Sequence, residues 1–280
     1  MTEVIWLDHR SITFGYAKEF ARIKEDAMKE DVFVRGYWPT DVQFGAKYMP
    51  HLADYEEMHD RVYLFGKMVD SAARHTELQI RRDTRWSLCL LKSTELGKFV
   101  AGVLWAVPEY VPHDQLSWID LLCIWLRSKY YAMLEIMSFW RVGNPSVYTN
   151  LRGEFAWASQ QLGGELTPAR MSELQQLPRR MLNQVCYPMD LSYGVRMLMV
   201  RTDAHKKGFG QKLLNESRKH ISSTAVPPPG IKGPAKIALF AAPTAIGFYQ
   251  RLGFNIGAQI PNTIPNGEKI IHTYMFENVE

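Results

Sequence analysis

The stretch from Val200 to Leu214, VRTDAHKKGFGQKLL, carries the strongest chemical signal in the sequence. An apolar run ends near Arg201, a basic turn follows, and Gly208 and Gly210 open an amphipathic helix. A strand-to-helix junction of this kind presents unbonded backbone N–H groups at the positive end of a helix dipole. That arrangement binds phosphate. Glycine at 208 and 210 leaves the backbone bare, so a bulky anion can come close. Lys206, Lys207 and Lys212 add positive charge. Taken alone, the stretch reads equally as a surface turn with solvated lysines.

Two nucleotide-binding loops are excluded by spacing. A Walker A loop needs G-x-x-x-x-G-K-[ST], which is absent. A dinucleotide fingerprint needs G-x-G-x-x-G, and Leu213 stands where its third glycine would be.

The elements around the junction are those of an α/β layer. Tyr193 to Arg201 reads as a buried strand and Gly208 to Ile221 as a helix. A Pro/Gly-rich loop, 222 to 236, leads to a strand over Lys236 to Ala241. Thr244 to Leu252 reads as a helix that Gly253 stops. Asn255 to Ile260 and Lys269 to Phe276 pair as a hairpin around Asn266-Gly267. Upstream, Trp86 to Lys92 and Phe99 to Trp105 form another hairpin around a Gly-containing turn. Tyr16 to Glu30 and Leu52 to Leu78 have the apolar spacing of amphipathic scaffold helices. Residues 113 to 188 contain no strand pattern. Gln115 to Trp140 is helix-like and rich in aromatics (Trp118, Trp125, Tyr130, Tyr131, Phe139, Trp140), expected to pack in a core or a pocket wall. Leu151 to Gln161 and Pro168 to Val185 read as further helices. Strands and helices in this order imply an α/β fold with a mixed sheet.

Composition sets outer bounds. The chain has 280 residues, 46% hydrophobic and 22% charged, which is ordinary for a soluble globular protein of one large or two small domains. Three cysteines, Cys89, Cys123 and Cys186, form neither a disulfide framework nor a zinc spacing. A reducing, cytoplasmic setting is the expectation, and no metal is called for. The N-terminus lacks a signal-peptide pattern, and no apolar stretch is long enough to span a membrane. The net charge of +4 is mild, and no basic tract points to nucleic acid.

His205-x-x-Gly208-x-Gly210 resembles the [QR]-x-x-G-x-[GA] acyl-CoA signature of the GCN5-related N-acetyltransferases (GNAT). Downstream, Ala241 to Phe254 (AAPTAIGFYQRLGF) is similar to that family's ASxx(A/G)xxxYxxxGF segment. The two motifs stand in the family's order with a strand between them. The resemblance is strongest over 193 to 276 and looser over the 86 to 105 hairpin, which would supply the second and third strands. It implies a GNAT fold: one domain over 1 to 280, with a mixed, mostly antiparallel sheet of six or seven strands flanked by helices. Residues 113 to 188 would be a helical insertion between the third and fourth strands. In that insertion the chain resembles fungal members.

The resemblance implies direct transfer of acetyl from acetyl-CoA to an amine. The fourth strand would splay from the fifth and receive pantetheine along Leu198, Met199 and Val200. The amide near Met199 would polarise the thioester carbonyl. Pyrophosphate would sit on amides of His205, Lys206, Lys207, Gly208, Phe209, Gly210, Gln211 and Lys212, with Phe248 beside the cofactor. Tyr249 occupies the position whose hydroxyl faces the sulfur and would protonate the leaving thiolate.

Departures from the pattern are His205 in place of Gln or Arg and Ala242 in place of Ser or Asn. The fourth strand carries no acid that could serve as a general base. Arg196 stands near that place and would pair with an acidic group on the acceptor or with a structural partner. Glu109, Tyr110, Glu154 and Asp190 are further candidates on the acceptor side. If the aromatics of the insertion wall the cleft, the acceptor would be apolar or aromatic. A small-molecule amine is the expected acceptor, ahead of a protein amine, for a monomer or homodimer. The alternative is a catalytically silent acyl-CoA-binding or partner-binding module.

Overall fold

A computed structural model describes residues 2–28, 57–140, 191–263 and 269–279. The strands are β1 (Thr2–Leu7), β2 (Trp86–Ser93), β3 (Lys98–Ala106), β4 (Tyr193–Val200), β5 (Lys236–Ala241), β6 (Asn255–Thr263) and β7 (Lys269–Asn278). The helices are α1 (Phe14–Met28), α2 (Glu57–Arg82), α3 (Trp118–Trp140), α4 (Phe209–Ser222) and the short α5 (Ile246–Arg251). All seven strands join one sheet in the order β1-β2-β3-β4-β5-β7-β6. Every neighbouring pair is antiparallel except β4 and β5, which run parallel. This is the mixed, mostly antiparallel sheet that the sequence implies. α3 lies between β3 and β4 in the chain, as expected of the insertion.

The sequence pattern did not reveal β1, an edge strand that pairs with β2 from Thr2↔Ser93 to Leu7↔Leu88. Its side chains are mostly half-buried, so it lacks a strong apolar alternation. Within the described residues the helices over 16 to 30 and 52 to 78 are present as α1, which starts at Phe14, and α2, which runs on to Arg82.

The sheet is buried on both faces. On one face α1 and α2 place Phe20, Ile23, Val69 and Ile80 against Leu88, Leu90 and Leu104. On the other, Leu213, Leu214 and Ile221 of α4 pack with Val103, Trp105, Val195 and Leu239. A smaller cluster of Ala238, Ile260 and Tyr274 covers the β5–β7–β6 end.

α3 is attached differently from the other helices. Its contact with α2 centres on Glu77, whose side chain is fully buried. Glu77 accepts from Arg81 Nε at 2.9 Å, from Arg127 and from the Tyr131 hydroxyl. Burial, with the Glu77 carboxylate beside it, pushes the Tyr131 phenol up to about 12. Trp118, Trp125 and Tyr130 lie on the exposed side of α3. The expectation that these three pack in a core or wall a pocket is therefore corrected, because α3 turns the narrow face of Ile124, Ser128 and Tyr131 inward. The side chains of Phe139 and Trp140, with Trp157 and the helices over 151 to 161 and 168 to 185, lie outside the described residues. Among the described residues, no helix is long and apolar enough to cross a membrane.

Arg218 ties α4 to the C-terminal elements. Its Nε donates to Glu277 of β7 at 2.6 Å and its Nη2 to Leu252 O at 2.6 Å, while the guanidinium lies 5.2 Å from the Phe254 ring centroid. A planar fork serves these partners at once, which a lysine cannot do. Arg218→Ala is expected to lower the unfolding free energy by about 2–3 kcal/mol. Arg218→Lys should recover only part of it. Urea denaturation of the three proteins checks this.

Candidate active site

The site is built on an irregularity in β4. Val195 packs into the cluster on the α4 face, and Met197 into the cluster on the α1–α2 face. Side chains two residues apart in a regular strand share a face. The register explains the reversal: Trp105 opposes Val195 and Leu104 opposes Met197, so Arg196 has no counterpart in β3. This is a β-bulge, which bends a strand and re-aims its side chains.

Pairing with β5 stops at the same place. The parallel register runs Tyr193↔Ile237, Gly194↔Ala238 and Val195↔Leu239, and no further. Tyr193 to Val195 are buried, whereas Arg196 to Val200 are half-buried, and of these Met197 to Val200 pair only with β3. β4 and β5 therefore part beyond the bulge and leave a wedge. Leu198 and Val200 face the α4–α5 side of it, and Met199 the α1–α2 side.

The loop from β4 to α4 is braced from outside. Thr202 donates its N–H and its hydroxyl to Asp26 at the end of α1, at 2.8 and 2.9 Å. Lys98 donates to Asp203 at 2.6 Å and Arg201 Nε at 3.3 Å, and these cations, Lys98 foremost, hold the Asp203 carboxyl below the usual range. His205 Nε2 lies 2.9 Å from Val200 O. Its ring thus closes the turn onto the strand end, so any part His205 plays with an anion falls to its backbone.

Two residues of the turn, Lys206 (φ 62°) and Gly208 (φ 76°), have left-handed backbone conformations. Such alternation gathers successive N–H groups into a concave nest. Gly208 precedes α4, and no side chain caps the helix. Lys212 is the first residue to find an i−4 acceptor, Gly208 O at 3.0 Å. The N–H groups of Phe209, Gly210 and Gln211 come before that bond, where a helix has no acceptor for them. A Cβ on Gly210 would lie 3.2 Å from Val200 Cγ2 and 3.5 Å from Phe248 Cζ. Strand end, helix start and α5 meet there closely enough that a side chain would press on Val200. Lys206, Lys207 and Lys212 are exposed around the nest.

Tyr249 sits on α5 on the same face of the sheet, buried in the α4-side cluster. Its ring is edge-on to Phe248 at 5.1 Å and to Phe254 at 5.5 Å. Burial raises its phenol above the ordinary value. The candidate residues thus lie on three neighbouring elements, with Leu198, Met199 and Val200 on the strand, 205 to 212 in the nest, and Phe248 and Tyr249 on α5.

The acceptor-side candidates do not converge in the same way. Tyr110 donates its hydroxyl to Val226 O at 2.9 Å and serves as a strut between loops. Glu109 is 81% exposed, 3.8 Å from Arg85. Glu154 and Asp190 lie outside the described residues. The periodicity of the sequence did not give the bulge or the Asp26 and Lys98 braces. Arg196, a lone charge inside an apolar run, was the only local sign of the bulge.

Residues 181–256, which hold the open half of β4, the nest and α5, match the family model described as an acetyltransferase (GNAT) domain. That segment is thus similar to a GNAT acetyltransferase domain, a family of enzymes whose co-substrate is acetyl-CoA. Among curated proteins, no sequence matches. Solved structures superpose loosely on the chain. One is a histone acetyltransferase HPA2 and related acetyltransferase from Corynebacterium glutamicum (15% identity, 100% of this chain and 97% of that one, TM-score 0.46). Another is the ribosomal-protein-S18-alanine N-acetyltransferase from Escherichia coli (11%, 100% and 95%, TM-score 0.40). A third is the PaiA N-acetyltransferase from Thermoplasma acidophilum in complex with coenzyme A (7%, 99% and 99%, TM-score 0.40). At these scores the likeness adds no weight to the matched segment.

The buried phenol gives a prediction. Its folded pKa is raised, so what its burial contributes to stability is complete below the ordinary phenol range and is lost as pH rises through and above it. An ultraviolet difference titration of the protein against Tyr249→Phe should show no phenolate step near pH ~10, where a free tyrosine titrates.

Proposed function

We propose that this protein transfers acetyl from acetyl-CoA directly to the nitrogen of a small-molecule amine. The observation that carries the reading is the wedge between β4 and β5, which opens at the Arg196 bulge and has the uncapped start of α4 at its mouth. An extended pantetheine arm fits such an opening by pairing with the free edge of β4 at Leu198 to Val200. The pyrophosphate then lies on the nest, where N–H groups, the helix dipole and Lys206, Lys207 and Lys212 all favour an anion.

In this reading the amine lone pair attacks the thioester carbonyl from the α1–α2 side. The developing oxyanion takes a hydrogen bond from a β4 amide near Met199. As the C–S bond breaks, the departing sulfur receives a proton from Tyr249. The phenol is protonated at neutral pH, as a general acid must be. The N–H proton that the new amide sheds returns through water to the phenolate, so no proton is gained or lost. β4 carries no carboxylate, so the amine enters neutral or loses its proton to water. A cytoplasmic setting suits a chain whose three cysteines form no disulfide framework.

Calorimetric titration with acetyl-CoA, with ATP and NADPH as controls, followed by an amine screen for thiol release, tests the reading. Binding of acetyl-CoA alone, with turnover of an amine, is the expected result. A tight complex that never turns over would make the protein an acyl-CoA-binding module instead. Tyr249→Phe should lower kcat by at least ~100-fold, the scale of a lost general acid, with acetyl-CoA affinity unchanged. Gly208→Val puts a β-branched residue at φ 76° and should weaken acetyl-CoA binding at least tenfold, by about 1.4 kcal/mol or more.

A further inference from the structure

The outward face of α3 takes no part in the proposed reaction. Trp118, Leu122, Trp125, Leu126, Tyr130 and Met133 recur at helical spacing, so they share one side of the helix. Trp118 is 73% exposed, Trp125 55% and Tyr130 53%, and the other three are about half exposed. The opposite side is the one that meets the fold, where Ser128 takes a hydrogen bond from Arg82 of α2 and Tyr131 donates to Glu77.

The exposed area matches what an interface requires. At roughly 200 Å² for a whole aromatic side chain, the three rings leave about 360 Å² in water. Leu122, Leu126 and Met133 bring the total to roughly 600 Å², the top of the range for the largest apolar patch on a typical monomer. A standard interface buries about 800 Å² on each partner, and between identical subunits about 65% of that is apolar. The apolar share is then about 520 Å², which this one face supplies.

The charges around the face favour protein over lipid. A helix that lies on an anionic membrane surrounds its apolar face with lysine and arginine. Here the arginines are turned the other way. Arg127 donates to the buried Glu77, and Arg82 donates to Ser128 Oγ at 2.8 Å. The other cation of α3, Lys129, lies with its Nζ 5.7 Å from the Trp125 ring centroid. A face with so little charge is compatible with its own image. An antiparallel pairing about the middle of the face sets each Lys129 against apolar side chains near Leu122 of the other copy, with the two lysines roughly 10 Å apart along the axis. A parallel pairing would set them side by side.

We infer that two copies of this chain associate through the outward faces of α3, packed antiparallel about a two-fold axis as an isologous dimer. The inference stands apart from the acetyltransferase reading, since no residue of β4, the nest or α5 belongs to this face. The same axis brings the two Cys123 residues, exposed on α3, to within roughly 8 Å of each other along the helix.

Sedimentation equilibrium of the full chain over a dilution series tests it, together with cross-linking. The wild type should sediment as a dimer that dissociates on dilution. Leu122→Glu combined with Leu126→Glu places like charges in the interface and should weaken association at least ~100-fold, with the circular dichroism spectrum unchanged. A short bismaleimide should cross-link the wild type into a covalent dimer. Cys123→Ser should abolish that product, and Cys186→Ser should leave it. A monomer at every concentration, a dimer that persists in the double variant, or a dimer that Cys123 does not cross-link overturns the inference. A monomer that sediments with phosphatidylcholine–phosphatidylserine vesicles overturns it and assigns the face to a bilayer. A monomer whose Cys123 resists maleimide overturns it and assigns the face to another segment of this chain.

Discussion

β4 cannot keep both of its neighbours, and the site follows from that. One extra residue, Arg196, takes the strand out of step with β3 and ends its pairing with β5 at Val195↔Leu239. The pairing with β3 continues on either side of the bulge, so β4 stays anchored to the sheet while its other edge is freed. Backbone N–H and C=O groups left without ladder partners are costly unless something else satisfies them. His205 Nε2 meets one such carbonyl, on Val200. The remaining edge suits a ligand that carries amide groups of its own.

The same bulge divides the side chains of β4 between the two faces of the sheet. Before it, the apolar side chains of β4 point to the α4 face; after it, Leu198 and Val200 keep to that face while Met197 and Met199 take the other. The nest and Tyr249 lie on one face, and Arg196 lines a cavity on the other. The parts around the wedge are held firmly. Asp26 and Lys98 brace the turn, and Arg218 joins α4 to the end of α5 and to β7. The fixed nest and the fixed phenol would then have little freedom to lose when a donor binds.

α3 obeys a different rule from the rest of the core. Its attachment to α2 is ionic and centred on Glu77, with Arg81, Arg127 and Tyr131 around one buried carboxylate. A buried charge tolerates loss of its partners poorly, so the cluster fixes the helix's rotation about its axis. That rotation puts Trp118, Trp125 and Tyr130 outward, although composition alone places them inside.

By itself the sequence determined the order of the elements after β1, the strand–turn–helix junction with its two glycines, and the tyrosine within the second motif. These are legible because they depend on local chemistry: apolar runs make buried strands, Gly208 takes a left-handed turn, and Gly253 stops a helix. The shape of the site was decided only in three dimensions. The bulge depends on the pairing of Leu104 and Trp105 in another strand, and the wedge on where the β5 ladder ends. The braces join residues far apart in the chain, such as Asp26 with Thr202, and so leave no periodic trace. The edge strand β1 and the outward face of α3 escaped for a related reason. Their burial is set by what packs against them, and a local pattern of residue types does not record that.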